Sequence, residues 1–530
     1  MTPARFAAPR LRDYAVAALL LTTAADFLLF RSFERPGGLT LTQPIGLPVP
    51  LLLLTVGLGV VLCNRRSLGV SAIPTAILLT GAALALAETV GRLQVVVGLT
   101  CLAAFALAAA GRLPHGPAAA RAVLRFLVTS PAAFCLDEVR RRRAAKSLRD
   151  ARRMSAGRLV RWTVWIMPLI LAGGFIILLG AGNPIVEHWL WLIDLSALID
   201  LLEPARLIFW ILAFVLIWPF LRPRLRHLSG RAIRPSEPAA RASDEPPALP
   251  SGFSSTLFGA DSILRALVLF NAVFAVQTVL DSLYLWGGKA LPDGITYAEY
   301  AHRGAYTLVA TALCAAAFVL LAMRPGSAAA SDRWIRALVY LWTAQTVVLV
   351  LSAMRRLDLY VDVYALTHWR VAAFLWMALV MVGLVLIVAR IALARSNDWL
   401  VMTNLTVAAG MIYGCAFADF DALIARFNVE HSREMTGTGA FLDIDHLSAL
   451  GPSALPALDT LLEAMRSRPI PQGGWEARKM IDVQSARDIL LSRHRARALR
   501  WRSWTFRSER LSRYLELSRL GGRRWTPFPW

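Results

Sequence analysis

The chain predicts an all-α fold: a polytopic transmembrane helical bundle of about eleven helices, followed by a small helical C-terminal extramembrane domain. Three observations carry that prediction. Apolar runs of membrane-crossing length recur from Asp13 to Ala418, arginine collects in alternate gaps between them, and a long polar stretch follows the last run. Hydrophobic residues make up 57% of the 530 positions and charged residues 17%, which excludes a soluble protein built on one large core.

Hydrocarbon offers the backbone no water to bond, so each run is expected to be a helix. In a front half, residues 1–222, the runs cover approximately 13–31, 45–63, 71–90, 93–111, 160–181 and 205–221. In a back half, residues 257–418, they cover approximately 262–286, 304–323, 334–354, 369–393 and 399–418. Between the halves, residues 223–256 carry Pro235, Pro238, Pro246, Pro247 and Pro250 among Ser, Ala and Arg, a composition that reads as a flexible linker. Segment 183–204 is rich in Leu, Ile and Trp but holds Glu187, Asp194, Asp200 and Glu203. Basic gaps flank it at one crossing's distance on each side, so it is expected to lie on the outer surface with Trp189 and Trp191 at headgroup depth.

Orientation follows from where the arginines fall. Arg5, Arg10 and Arg12 precede the first run, Arg65 and Arg66 the third, Arg140 to Arg143 the fifth, and Arg222, Arg224 and Arg226 follow the sixth. Basic short loops stay in the cytoplasm, which puts the N-terminus inside and the tail, residues 419–530, outside a bacterial inner membrane. The first run could serve instead as a signal peptide, but its apolar stretch continues through Phe27 to Phe30 and favours retention. The net charge of +22 would suit a nucleic-acid binder, yet the basic residues sit in short loops beside apolar runs, and topology accounts for them. The basic segment 115–158 also holds Leu124, Phe126, Leu127, Val128 and Phe134, the makings of a helix lying on the inner leaflet and attracted to anionic lipid. An orientation signal with no further role is the alternative reading.

No complete catalytic, nucleotide or metal motif occurs, and no cofactor is implied. Cys63, Cys101, Cys135, Cys314 and Cys415 are scattered singly, without CxxC spacing, and read as small packing residues. His431, His446, Asp443 and Asp445 in the tail lack metal-ligand spacing, and helix capping suits the carboxylates better.

Two outer loops gather more ionisable and aromatic residues than a turn requires. One, YAEYAHRGAY, brings Tyr297, Glu299, Tyr300, His302 and Arg303; the other, RRLDLYVDVYALTHWR, brings Arg355, Arg356, Asp358, Tyr360, Asp362, Tyr364, His368 and Arg370. Arg355 and Arg356 fall on the side that the charge bias disfavours, so partners such as Glu299 or Asp362 are expected to hold them. Together the loops could form an outward cup for an anionic or zwitterionic ligand, Arg pairing with its acid and Tyr walling it. The alternative is a structural network that ties the loops to the interface.

Within the runs, Asp26, Glu88, Asn271, Gln277, Asp281, Gln345 and Asn404 are polar groups that hydrocarbon penalises, so they should face the bundle. Gln277 and Asp281 lie one helical turn apart on one face, and Asp281, near the outer end, is the leading candidate for a functional carboxylate. The amides are equally suited to hydrogen bonds between helices.

The stretches YAEYAHRGAY, LYVDVYALTHWR, FDALIARFNV, DIDHLSALGPSALPAL and WRSWT occur in this order, mainly between Phe253 and Thr505. Together they resemble the uncharacterised bacterial membrane proteins of domain of unknown function 4173. The resemblance implies architecture and offers no activity. The expected role is envelope sensing, assembly or scaffolding, with a membrane-protein partner possible. A transporter lined by Asn271, Gln277 and Asp281, or a membrane-embedded transferase acting on a lipid-linked substrate at the cup, are the alternatives.

Overall fold

The computed structural model describes residues 11–30, 45–132 except 66, 204–224, 260–287, 332–467, 475–498 and 500–519, with a few isolated positions. Among these residues the regular structure is helical throughout. Runs 160–181 and 304–323, segment 183–204 and most of linker 223–256 lie outside the described residues. Two compact units are present: residues Met1–Gly230 with Arg500–Arg507, and Arg231–Leu499 with Ser508–Trp530.

The first unit contains α1 (Leu11–Ala25, continued by a π turn over Asp26–Phe30), α2 (Pro48–Cys63), α3 (Ala72–Glu88), α4 (Arg92–Ala109), α5 (Ala118–Thr129) and α6 (Pro204–Leu221). Its core is rich in alanine, with Ala18, Ala83, Ala103, Ala106 and Ala109 buried beside Leu86, Leu107, Phe126 and Leu221. Small residues let helices approach closely where there is no hydrophobic force between helix and lipid. Gly59 marks such an approach: a Cβ there would meet Leu21 Cδ1 at 2.8 Å and Leu221 Cδ2 at 3.1 Å.

The two ends of this unit are chemically distinct. At one, Tyr14 donates to the Cys63 carbonyl at 3.5 Å and Asn64 Nδ2 donates to the Leu221 carbonyl at 3.1 Å. At the same end Ser67 Oγ donates to the Ala109 carbonyl at 2.7 Å, and Asp137 faces Arg222 at 3.8 Å and Arg224 at 3.5 Å. At the other end Asp26 accepts from Arg206 Nη2 at 2.6 Å, Arg206 Nε at 3.0 Å and Trp210 Nε1 at 3.0 Å. The tail segment Arg500–Arg507 docks at this second end. Gly46 N–H donates to the Arg502 carbonyl at 2.7 Å, Leu47 N–H to the Trp504 carbonyl at 2.9 Å, and Arg507 lies 3.7 Å from Glu88.

In the second unit, α7 (Ala260–Asp281, with a π turn over Ser282–Trp286), α8 (Arg333–Tyr364), α9 (His368–Ala392) and α10 (Asn397–Cys415) are followed by the tail helices. These are α11 (Phe420–Glu430), α12 (Arg433–Thr436), α13 (Ile444–Ala449), α14 (Leu455–Arg466), α15 (Trp475–Ala498) and α16 (Phe506–Arg519). One apolar cluster joins Leu267, Phe274, Val339, Trp342, Leu349, Met377 and Leu384 from α7, α8 and α9. Another joins Ile424, Leu447, Leu458, Leu461, Val483 and Leu490 of the tail to Val361 and Leu366. Asp443 caps α13 by accepting from His446 N–H at 2.9 Å, the role expected of it or its neighbour Asp445.

Five described helices are long and apolar enough to cross a membrane: Leu11–Phe30, Arg92–Ala109, Asp261–Trp286, Arg333–Tyr364 and His368–Ala392. A sixth span appears if α10 and the helices after it, bent by 74°, are counted as one, and Pro48–Cys63, Ala72–Glu88 and Ala205–Leu221 are apolar but shorter. The protein is a multi-pass membrane protein.

One expectation needs correction. The stretch RRLDLYVDVY is no loop: α8 continues through it to Tyr364, leaving only Ala365, Leu366 and Thr367 as a turn before α9. Leu357, Tyr360, Val361 and Tyr364 recur at helical spacing, which gives the segment an amphipathic stripe although its mean hydropathy has already fallen. The turn itself is tight, with Ala365 at φ +64°, a left-handed value that favours glycine.

Candidate functional site

The described half of the expected cup is built by α7, α8 and the turn into α9. Gln277 and Asp281 stand one turn apart on α7, and Gln277 Nε2 donates to Asp281 Oδ1 at 2.9 Å. The same oxygen accepts from Arg356 Nη2 of α8. Asp281 is 1% exposed and Arg356 4%, so this ion pair sits inside the bundle. A buried charge is tolerated when a partner neutralises it, and here each residue is that partner for the other. Trp286 Nε1, just beyond, donates to Ser352 Oγ at 3.3 Å.

The helix register that makes the pair possible is parallel. Asn271 Nδ2 donates to the Leu338 carbonyl at 3.2 Å, Phe274 meets Trp342 at 5.9 Å between ring centroids, and Asp281 meets Arg356, in ascending order along both helices.

Among the described residues both arginines have carboxylate partners. Arg356 is held by Asp281 and Arg355 by Asp358, three residues on along α8, while Glu299, one of the partners expected, lies outside the described residues. Arg370 lies 4.7 Å from the centre of the Tyr360 ring and donates to the carbonyls of Tyr364, at 2.6 Å, and Ala365. It thereby caps the C-terminal end of α8, where unpaired carbonyls carry partial negative charge. Tyr360 and Tyr364 pack with centroids 4.6 Å apart. Glu299, Tyr300, His302 and Arg303 lie outside the described residues.

Asp362 lines a cleft together with Ala365, Asn428, His431, Phe441 and His446. His431 stacks on Phe427 at 4.1 Å and is bonded to that residue's carbonyl at 2.9 Å. No group of His, Cys, Asp and Glu arranged to hold a metal occurs among the described residues.

Residues that the loop reading passed over fasten the α8–α9 turn to the tail helices. Asn428 Oδ1 accepts from Leu366 N–H at 2.6 Å and its Nδ2 donates to the Leu366 carbonyl at 2.9 Å, so one side chain satisfies both backbone groups. His368 Nε2 is 2.8 Å from Asp421 Oδ1. Asn428 and Asp421 both sit in the FDALIARFNV stretch, yet nothing in its spacing names Leu366 as the partner. Chemically, the assembled arginines hold acids, carbonyls and rings of the protein itself, and the arrangement acts as a clamp on a helix end.

The profile of a domain of unknown function, DUF4153, matches residues 72–461. No curated protein and no solved structure shows significant similarity. The resemblance to an uncharacterised membrane family therefore holds at that level, while the family matched is DUF4153 and the match gives no support to 4173. With most of its length covered, the chain belongs to the family defined by the domain of unknown function DUF4153.

Proposed function

We propose that the protein is a bacterial inner-membrane scaffold or sensor in which an extracytoplasmic helical tail is coupled to the membrane bundle through α8. One observation carries this reading. The single helix α8 contributes Leu349 and Val350 to the bundle cluster, Arg356 to the buried ion pair, and Val361 to the cluster of tail helices. A load or ligand on the tail therefore acts on the same rigid element that the ion pair fixes below it.

The orientation rests on charge bias and on the geometry of the first unit. The Tyr14 end carries Arg112, Arg222 and Arg224, as a cytoplasmic face would, and Arg500–Arg507 packs at the opposite end. A transport path through Asp281 finds less support, since the carboxylate is 1% exposed and paired. A transferase would need a carboxylate or His open to an outer pocket, and Asp362 beside His431 and His446 is the described place where one could be sought.

Growth under envelope stress separates these readings. Deletion of residues 419–530, or Asn428→Ala with His368→Ala, is expected to abolish complementation of a strain lacking the protein, while Glu299→Gln with His302→Gln leaves it intact. The reverse pattern would overturn the scaffold reading.

A further inference from the structure

We infer that the outward face of α5 is a binding site for the phosphate headgroup of an anionic glycerophospholipid, with Arg121 and Arg125 as its phosphate ligands. This goes beyond the coupling role of α8 and uses a different part of the chain. Ala122, Val123 and Phe126 are 5%, 8% and 2% exposed and bury one side of α5 in the core of the first unit. Phe126 meets Phe220 edge-on at 5.5 Å, one residue before α6 ends at Leu221. Arg222 and Arg224 follow at once, so α5 sits at the depth where an apolar helix gives way to charged chain.

The opposite side of α5 presents Arg121, Leu124, Arg125 and Val128, which spacing of three and four residues sets on a single helical face. Leu124 is 64% exposed and Val128 63%. The helix carries no acid, and neither arginine has an ion-pair partner among the described residues. Arg125 Nε is shielded from solvent yet meets no acceptor among them. Asp137, the next acid along the chain, is taken by Arg222 and Arg224, with Trp218 Nε1 at 3.4 Å.

Water would suit the arginines but not the two apolar side chains, and hydrocarbon the reverse. A leaflet surface satisfies both: Leu124 and Val128 reach the acyl boundary while guanidinium forks meet phosphate oxygens. An acidic amphipathic helix of another protein would also match this pattern, but the position of α5 at the end of α6 favours lipid, which is present at that depth on every side.

The test uses the full-length protein in nanodiscs of phosphatidylcholine with and without phosphatidylglycerol, and counts lipid retained on release by native mass spectrometry. Wild type is expected to hold phosphatidylglycerol in preference to phosphatidylcholine. Arg121→Gln with Arg125→Gln should lower that retention by at least about five-fold, the worth of one basic residue at an anionic surface. Leu124→Ser with Val128→Ser should lower it as well, and Arg466→Gln, in α14, should leave it unchanged. Equal retention of the two lipids by wild type would overturn the inference even if the variants failed to fold. So would retention unaffected by the double arginine change, or a face found occupied by a protein with no lipid preference.

Discussion

Asp281 and Arg356 show how a charge survives inside a membrane protein: each is buried, and each supplies the countercharge of the other. Removing one partner leaves a charge with its desolvation cost uncompensated, whereas removing both leaves none. Asp281→Asn or Arg356→Met alone is therefore expected to cost about 3–5 kcal/mol, and Asp281→Leu combined with Arg356→Met much less. Thermal unfolding of the purified protein in detergent, read as a double-mutant cycle, checks this. If the double variant loses the sum of the single losses, the pair is not the unit. Asp281 was legible in the sequence because an acid in an apolar run must be compensated. Its partner was not, because pairing depends on the parallel register of α7 and α8, and linear spacing contains no trace of that register. Gly46 is a second position where one atom decides. A Cβ there would meet the Trp504 carbonyl oxygen at 2.2 Å, so Gly46→Ala should release the docked segment Arg500–Arg507. Trypsin cleavage after Arg500 and Arg502 should then be faster in the variant than in wild type.

At the scale of the element, α8 is where hydropathy and helical periodicity part company. Hydropathy ends the run near Ala353, yet Leu357, Tyr360, Val361 and Tyr364 keep the helical repeat, and Arg355 to Asp358 adds a pair across one turn. The helix outlasts its apolar run, and Val361 near its far end is buried in another apolar cluster. A proline at Leu359 would remove a backbone donor and clash with the preceding turn, at a cost of about 3 kcal/mol or more. Leu359→Pro is expected to speed hydrogen exchange both in α8 around Leu349 and in tail helices α11 and α14; intact protection of the tail would mean that the two clusters are independent. In α15, His494 is 3% exposed and 3.0 Å from Ser512 of α16. Burial, then Arg497 and Arg495, hold its pKa below the ordinary 6.5. The unfolded chain thus takes up the proton first as pH falls, so the stability of the α15–α16 contact is complete above about pH 6.5 and lost as pH drops toward the depressed value. Hydrogen exchange, corrected for its intrinsic rate, should show α15 and α16 loosening as pH falls below about 6.5, and His494→Gln should flatten the profile.

At the scale of the whole molecule, the two ends of the first unit carry the testable geometry. Within the first unit, α4 ends where α3 began and α6 starts beside Asp26, at the opposite end. Leu221 returns to the Tyr14 end, and Arg500–Arg507 sits at the Asp26 end. Runs 160–181 and 304–323 lie outside the described residues. The count of eleven is an expectation from apolar runs; the described helices supply five candidate spans, or six with the bent pair. Run length was legible in the sequence because lipid thickness imposes it. The tail's return to the first unit was not, because it rests on backbone bonds from Gly46 and Leu47 to residues far along the chain. With the five native cysteines replaced, His115→Cys and Arg500→Cys, at opposite ends of the first unit, are expected to lie on opposite sides of the membrane. A membrane-impermeant maleimide applied to intact spheroplasts should label Arg500→Cys at once and His115→Cys only after permeabilisation. Labelling of both before permeabilisation would mean that an even number of crossings separates them. Labelling of His115→Cys alone would keep the two ends on opposite sides but invert the orientation, placing the tail and the Asp26 end in the cytoplasm against the arginine bias.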